Sequence, residues 1–321
     1  MAHLYIEQIQ PGQQINDIYL ISQAVLRSTT NGKLYIAMFV GDKSGKTNGR
    51  VWNATEELFK SLPKEGFVQI IGRSELYQNN LQIVADKLLP ASAEKINIDD
   101  YLPKTTKDIQ QMYKGIIEIL TEIKNPFLKA LVDEFIKDKE LMKKFCKAPA
   151  ATQNHHSYIG GLLEHTANML LAAKAIMPCY PQLQSDLVLA GIFLHDMGKT
   201  EELSYDMAFS YTDSGQLLGH IVQTTFMINS KVAGLKQADI EINQPILDSL
   251  IHIILSHHGQ YEFGSPKLPM TAEAYLVSFL DNIDAKINQV TEKIETDPSQ
   301  DNWTAFVRAL DSKLYRKRVV D

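Results

Sequence analysis

The sequence predicts a multidomain α and β chain, a small five-stranded β-barrel followed by an all-α domain. Three observations predict it. At 321 residues the chain is longer than one hydrophobic core usually supports, so two domains are expected. Residues 15–90 hold short runs of β-branched and aromatic residues between Gly and Asn turn signals. From Thr105 onward the apolar residues recur at helical spacing instead. The expected division is 1–90 for the barrel, 91–148 for a linker and helical connector, and 149–321 for the all-α domain.

The barrel elements follow in order. Ile18–Arg27 is β-rich and meets the turn Thr30-Asn31-Gly32. Leu34 to Val40 alternates, so Leu34, Ile36, Met38 and Val40 face a core while Tyr35, Ala37 and Phe39 face outward. A loop through Gly41, Gly45 and Gly49 leads into Arg50-Val51-Trp52. Thr55 caps a short helix to Leu62, and two strands, Phe67–Gly72 and Leu81–Leu88, close the set. Three strands, a helix and two strands is the order of the OB barrel. Outward Tyr35 and Phe39 with Arg50 and Trp52, flanked by Lys33, Lys43 and Lys46, make a stacking platform edged by cations. Single-stranded nucleic acid is held on such surfaces. Packing against another domain or subunit is the plainer explanation of the same aromatics.

In the helical part, Ile109, Met112, Ile116, Ile117, Leu120 and Ile123 form one stripe, ended by Asn125-Pro126. Phe127–Phe145 forms a second helix, and the chain is expected to stay helical from Pro149 to its end. Apolar content of 45% and charged content of 22% describe an ordinary globular protein. No segment approaches the roughly 18 apolar residues of a membrane span, and no leader pattern opens the chain. Cys146 and Cys179 lack motif spacing, as expected of reduced thiols in a cytoplasmic protein. Net charge is −6, with +1 up to Pro90 and −7 beyond, which does not select a partner.

The chemistry resides in the second half. His165, the pair His195-Asp196, His220, the pair His257-His258 and Asp281 each sit in or at the end of an apolar helical segment. Burying such groups unpaired is costly. Imidazole and carboxylate donors suit manganese, iron, cobalt, zinc or magnesium. Seven ligands exceed one tetrahedral ion and fit two ions that share a carboxylate, a device for hydrolysing phosphate esters. Asp196 has the two oxygens needed to bridge. Taken singly, His165 is more often a packed core histidine, and His252, off the face of His257, is expected to be structural. Asp284, one turn beyond Asp281, is open as an outer partner or a cap.

The order of His165, His195-Asp196 and Asp281 resembles the HD-domain phosphohydrolase superfamily, and His220, His257 and His258 are similar to the extra ligands of its binuclear members. The strings HHSYIGGLLEHT, FLHDMGK, ILSHHGQYEFGSPK and LDNIDAK resemble the bacterial YhaM-type 3′-to-5′ exoribonucleases, which join an OB barrel to an HD domain. The resemblance covers nearly the whole chain. It implies one metal on His165, His195, Asp196 and Asp281 and a second on Asp196, His220, His257 and His258. It further implies hydrolysis by a hydroxide activated between them, with Lys199 on a phosphate oxygen and Asp196 central to catalysis. His155, His156 and Lys267 are expected to contact the nucleic acid along with Tyr35, Phe39, Arg50 and Trp52.

The expected function is thus a metal-dependent 3′-to-5′ exoribonuclease of single-stranded RNA, with single-stranded DNA as a further substrate and duplexes resistant. The expected cofactors are two divalent ions, manganese first, with cobalt, iron, magnesium and zinc as alternatives. No membrane partner is expected, and a homo-oligomer is left open. The alternative is an HD-type nucleotide phosphohydrolase or cyclic-nucleotide phosphodiesterase. Cyclic-dinucleotide enzymes of the superfamily carry a Gly-Tyr-Pro signature absent here, where Gly259, Gln260, Tyr261 and Glu262 follow the histidine pair. Three-metal members add a glutamate one turn before the first histidine, where this chain has Gly161.

Overall fold

The computed structural model describes residues 3–63, 66–78, 80–91, 96–152, 156–205, 209–297, 301–317 and 319. His155, expected at the nucleic acid, lies outside the described residues. The chain divides into two compact units, one built on Met1–Lys104 and the other on Thr105–Ser204 and Phe209–Asp321.

The first unit comprises β1 (Gln14–Ser28), β2 (Leu34–Asp42), β3 (Gly45–Trp52), α1 (Glu56–Ser61), β4 (Gly66–Tyr77) and β5 (Asn80–Pro90). The strands close in the order β1-β2-β3-β5-β4, β3 and β5 running parallel. That order, with a helix between β3 and β4, is an OB barrel. Closure needs β1 to serve two neighbours: Gln14–Ile21 pairs with β4 and Leu20–Ser28 with β2. A bulge after Ser22, with Gln23 at φ 50°, bends the strand between them. Ile36, Met38 and Val40 point inward onto Ile15, Tyr19, Ile21, Val51, Val68, Ile70 and Ile83, whereas Leu34, at the strand's start, is only half buried. Residues 45–49, expected in a loop, are strand instead. Gly49 faces inward, where a Cβ would stand 2.6 Å from Val40 Cγ2; only glycine fits, and its presence mimicked a loop.

Beyond β5, Tyr101 is buried against the barrel, its ring 4.7 Å from that of Phe67 and its OH donating to the Ile18 carbonyl at 3.2 Å. Beside the Tyr101 ring, with 5.1 Å between ring centroids, His3 lies 3.2 Å from both Asp17 and Asp42. Burial lowers the His3 pKa, but the bond to Asp42 and the charge of Asp17 outweigh it, and the net shift is upward. A raised histidine pKa stabilises the fold fully below its ordinary value near 6.5 and loses that contribution as pH rises through the folded pKa. We therefore predict that His3→Ala costs about 1.5–3 kcal/mol at pH 5.5, the range for hydrogen bonds to charged groups, and less at pH 9. Urea unfolding of both proteins at the two pH values checks this; a pH-independent difference contradicts it.

The second unit is helical: α2 (Ile109–Leu120), α3 (Pro126–Lys137), α4 (Lys139–Lys147), α5 (Gly161–Ile176), α6 (Ser185–Leu194), α7 (Lys199–Glu202), α8 (Asp213–Gln237), α9 (Gln244–Ser256) and α10 (Ala272–Thr296). A two-stranded ribbon, β6 (Leu203–Ser204) with β7 (Ser210–Tyr211), separates α7 from α8. The single helix expected over 127–145 is two. Asp138 closes α3 and caps α4, its carboxylate accepting the Leu141 N–H at 3.1 Å, and capping outcompetes continuation. Nor is the chain helical to its end. After Asp297, at the Pro- and Asn-bearing run 298–302, residues 301–317 form bridges pairing Trp303 with Tyr315 and Val307 with Ser312. At the centre lies α6, whose Leu187 to Leu194 are all buried and which packs against α5, α9 and α10. A helix buried all round must end on polar groups that find partners inside, and it ends on His195-Asp196.

Candidate metal centre

Five elements bring the predicted ligands together. His165 comes from α5, His195 and Asp196 from the turn after α6, and His220 from α8. His257 and His258 follow α9, and Asp281 projects from α10. His195 and Asp196 are 0% and 2% exposed and His257 1%, so the group is an interior feature.

Asp196 divides it. On the Oδ2 side, His195 Nε2 lies at 3.3 Å and His165 Nε2 at 3.8 Å. His165 Nε2 is itself 3.3 Å from both His195 Nε2 and Asp281 Oδ1. On the Oδ1 side stand His220 Nε2 at 3.4 Å and His257 Nε2 at 3.5 Å. Two donor groups result around Asp196, His165 with His195 and Asp281, and Asp196 with His220, His257 and His258, while a third group, His156 with His165 and Asp284, lies beside them. Asp196 Oδ1, His220 Nε2 and His257 Nε2 are buried with no hydrogen-bond partner among the described residues. Three converging orphans would be a heavy desolvation cost in a site without a cation, and a divalent ion satisfies them.

Every histidine of the group aims Nε2 at the others because Nδ1–H is tied elsewhere. His195 donates to the Ile192 carbonyl, His257 to Ile254 and His258 to Phe263, each at 2.7 Å. His165 donates to Asp284 Oδ2 at 2.6 Å and His220 to Glu202 Oε1 at 3.1 Å. Such outer bonds fix the tautomer that leaves a ligating lone pair inward. The position of His220 depends on Gly219, whose φ of 73° and ψ of 156° break α8. The break frees the His220 N–H, and Glu202 Oε1 accepts it at 2.9 Å. A side chain at Gly219 would be strained there.

Electrostatics agree with geometry. Burial opposes ionisation of Asp196, but Lys199 and His195 hold it well below the usual carboxylate range. Lys199, 8% exposed, donates to Asp196 Oδ2 at 2.6 Å. Burial and the neighbours His257 and His220 push His258 down to about 3, so it stays neutral with its lone pair available. Burial lowers His165, yet the carboxylates of Asp281 and Asp284 more than offset this and raise it to about 9, so an ion bound there would have to displace a proton from its Nε2.

Two residues here lacked a clear signal in the sequence. Asp284, left open between partner and cap, is the partner: it accepts from His165, from His156 Nε2 at 2.7 Å and from Asn168 Nδ2 at 2.8 Å. Glu202 was not singled out; its signal is a glutamate 7% exposed, visible only once the fold is known. We predict that Asp284→Asn weakens divalent-ion binding about 10- to 100-fold, the usual cost of losing such a partner. Titration calorimetry with manganese measures it; an unchanged affinity would mean that His165 is oriented by something else.

The expected nucleic-acid residues fall differently. On the outer face of β2 and β3, Tyr35 pairs with Trp52, Ala37 with Arg50 and Phe39 with Asn48. The Tyr35 and Trp52 rings stand 5.0 Å apart, Trp52 46% and Phe39 40% exposed. Lys43 is not available to that surface, since it bonds the Asp99 carbonyl at 3.0 Å and covers the Tyr5 ring. His156 does not reach outward: it is 1% exposed, one ring nitrogen on Tyr158 OH at 2.7 Å and the other on Asp284. Its place is behind the metal ligands, as a prop for Asp284. Lys267 is exposed, on the loop after α9. His252 accepts the Met270 N–H at 2.9 Å, a structural role.

With fold and site described, the class follows. A family model for the HD domain matches residues 162–286, which hold all seven expected ligands as well as Glu202 and Asp284. The chain is 34% identical over 308 residues to the 3′-5′ exoribonuclease YhaM of Bacillus subtilis, covering 95% of each chain. It is 33% identical over 310 residues to the protein of the same name from Bacillus licheniformis, covering 96% of each. This chain belongs to the YhaM-type 3′-to-5′ exoribonuclease family, OB barrel and HD domain in one polypeptide, and is a hydrolase. Among solved structures, the second OB-fold domain of replication protein A from Methanococcus maripaludis is similar over 30% of this chain and 99% of that one, at 19% identity and a TM-score of 0.23. The OB assignment rests on strand order. No helix among the described residues is long and apolar enough to cross a membrane.

Proposed function

We propose that this enzyme removes nucleotides one at a time from the 3′ end of single-stranded RNA, through two divalent ions that share Asp196. The observation that carries the reading is the meeting of buried, unpartnered Asp196 Oδ1, His220 Nε2 and His257 Nε2 opposite the group of His165, His195 and Asp281. One ion would be held by that second group with Oδ2, the other by His220, His257, His258 and Oδ1. Together, when bound, the ions supply an activated water and neutralise charge developing on phosphate. Manganese is the first candidate, and single-stranded DNA a second substrate. Two free cysteines fit a cytoplasmic setting.

The chain's own residues do the rest. Asp284, Glu202 and three carbonyls hold the imidazoles so that no reorganisation is needed when substrate arrives. Lys199 lines the cavity beside Asp281, His220 and His258, where its ammonium meets a non-bridging phosphate oxygen. In the reaction the oxygen of water becomes bonded to phosphorus and the bond from phosphorus to the 3′ oxygen breaks. That oxygen leaves with a proton on the shortened strand, and a nucleoside 5′-monophosphate departs. The barrel's aromatic face supplies sequence-tolerant affinity for the strand.

The test is a time course of 5′-labelled RNA with manganese. The expected result is a ladder shrinking from the 3′ end with release of nucleoside 5′-monophosphates, and survival of a blunt duplex. A strand left intact with manganese, cobalt, iron, magnesium and zinc in turn would contradict the reading.

A further inference from the structure

Beside the metal ligands the second unit holds a cavity of about 340 Å³. That is near the lower end of small-ligand pockets, roughly 300–1,000 Å³, room for one nucleotide and not for a length of strand. Its lining is of two kinds. His220, His258, Asp281 and Lys199 are the ionic part already described. The remainder includes two rings that the reaction does not use, Phe263 from the turn after α9 and Tyr211 from β7, together with Lys286 on α10.

Phe263 is 58% exposed and Tyr211 47%, large apolar surface at the edge of a polar site. An aromatic face left open beside an anion-binding centre matches a ligand that is flat at one end and anionic at the other. Phe263 is also held to that centre. Its carbonyl accepts the Nδ1–H of His258 at 2.7 Å, so the short turn Tyr261–Phe263 keeps its place relative to the metal ligands. A turn anchored in this way needs little ordering on binding, which leaves only the ring's own rotamer to be fixed.

We propose that this cavity is the seat of the strand's terminal nucleotide, with Phe263 as the stacking face for its base. Tyr211 forms a further wall, and Lys286 adds a cation for the nucleotide's phosphate. The assignment rests on the exoribonuclease reading, under which the released nucleoside 5′-monophosphate is the ligand that last occupies the cavity. Stacking places no demand on base identity, as trimming of mixed sequence needs.

The experiment uses the full-length chain with manganese and two probes, adenosine 5′-monophosphate and ribose 5-phosphate, by titration calorimetry. Phe263→Ala is expected to weaken the nucleotide about 5- to 150-fold, the worth of one stacked base, and to leave the baseless sugar phosphate unchanged. Phe263→Trp, which keeps a ring and the carbonyl, is expected to restore nucleotide affinity. Equal loss for both probes would overturn the proposal, since it would mean a damaged metal site and no base contact. No loss for either would overturn it as well. Trimming of labelled RNA is followed in parallel. If wild-type protein trims RNA while Phe263→Ala binds both probes normally, the base seat fails and the exoribonuclease reading stands. If wild-type protein leaves RNA intact while the nucleotide-selective loss is observed, the seat stands and the RNA reading fails.

Discussion

Asp196→Asn is expected to lower RNA trimming by at least a thousandfold, about 4 kcal/mol of transition-state stabilisation, and to weaken metal binding on both sides of the site together. The expectation follows from geometry: Oδ2 faces His165 and His195 while Oδ1 faces His220 and His257, so one carboxylate serves both groups. Asn is the informative change. Removing the side chain with Ala would leave the buried Lys199 ammonium without its partner, a separate cost of several kcal/mol that confuses folding with function. Asn retains an acceptor for Lys199 and loses the charge and the second anionic oxygen. Single-turnover trimming at saturating manganese, with thermal unfolding as the folding control, checks the prediction. A protein that keeps its melting temperature and trims within tenfold of wild type would show that Asp196 is not the bridge.

The second large effect belongs to the barrel. Tyr35→Ala and Trp52→Ala are each expected to weaken single-stranded RNA binding by about 1–3 kcal/mol, or 5- to 150-fold. Because the rings stand 5.0 Å apart, the double change should fall short of the sum of the two. The rate at saturating RNA should hold steady while KM rises, the pattern of lost uniform binding. Trp52 is 46% exposed, Tyr35 is half buried, and neither belongs to the barrel core, so the substitutions leave the barrel interior intact. Fluorescence anisotropy with a labelled oligonucleotide measures the affinities. The same variants separate the alternative function: a nucleotide phosphohydrolase would hydrolyse its small substrate at wild-type KM without either ring. A double variant that binds RNA as tightly as wild type would remove the platform from the account.

Much of this molecule is legible in the chain because its polar residues stand out against apolar surroundings. His195-Asp196 follows eight buried residues, and Asp281 lies in a run that includes Val277 and Leu280; ionisable groups there require a reason, and a cation is the common one. The barrel is legible through the alternation of Ile36, Met38 and Val40. What was not legible depends on distant partners. Glu202 and His156 acquire their roles from His220 and Asp284, 18 and 128 positions away, and no local spacing encodes such a pairing. Asp138 and Gly49 misled for local reasons, one a cap inside an apparently continuous apolar stripe, the other a glycine required by close packing rather than by a turn.

The measurement that tests the two-ion centre most directly is manganese anomalous scattering from crystals of the full chain soaked in manganese chloride. The account predicts two peaks flanking the Asp196 carboxylate. One should lie among His165, His195 and Asp281, the other among His220, His257 and His258. A single peak, or a peak within the third donor group of His156, His165 and Asp284, would contradict it.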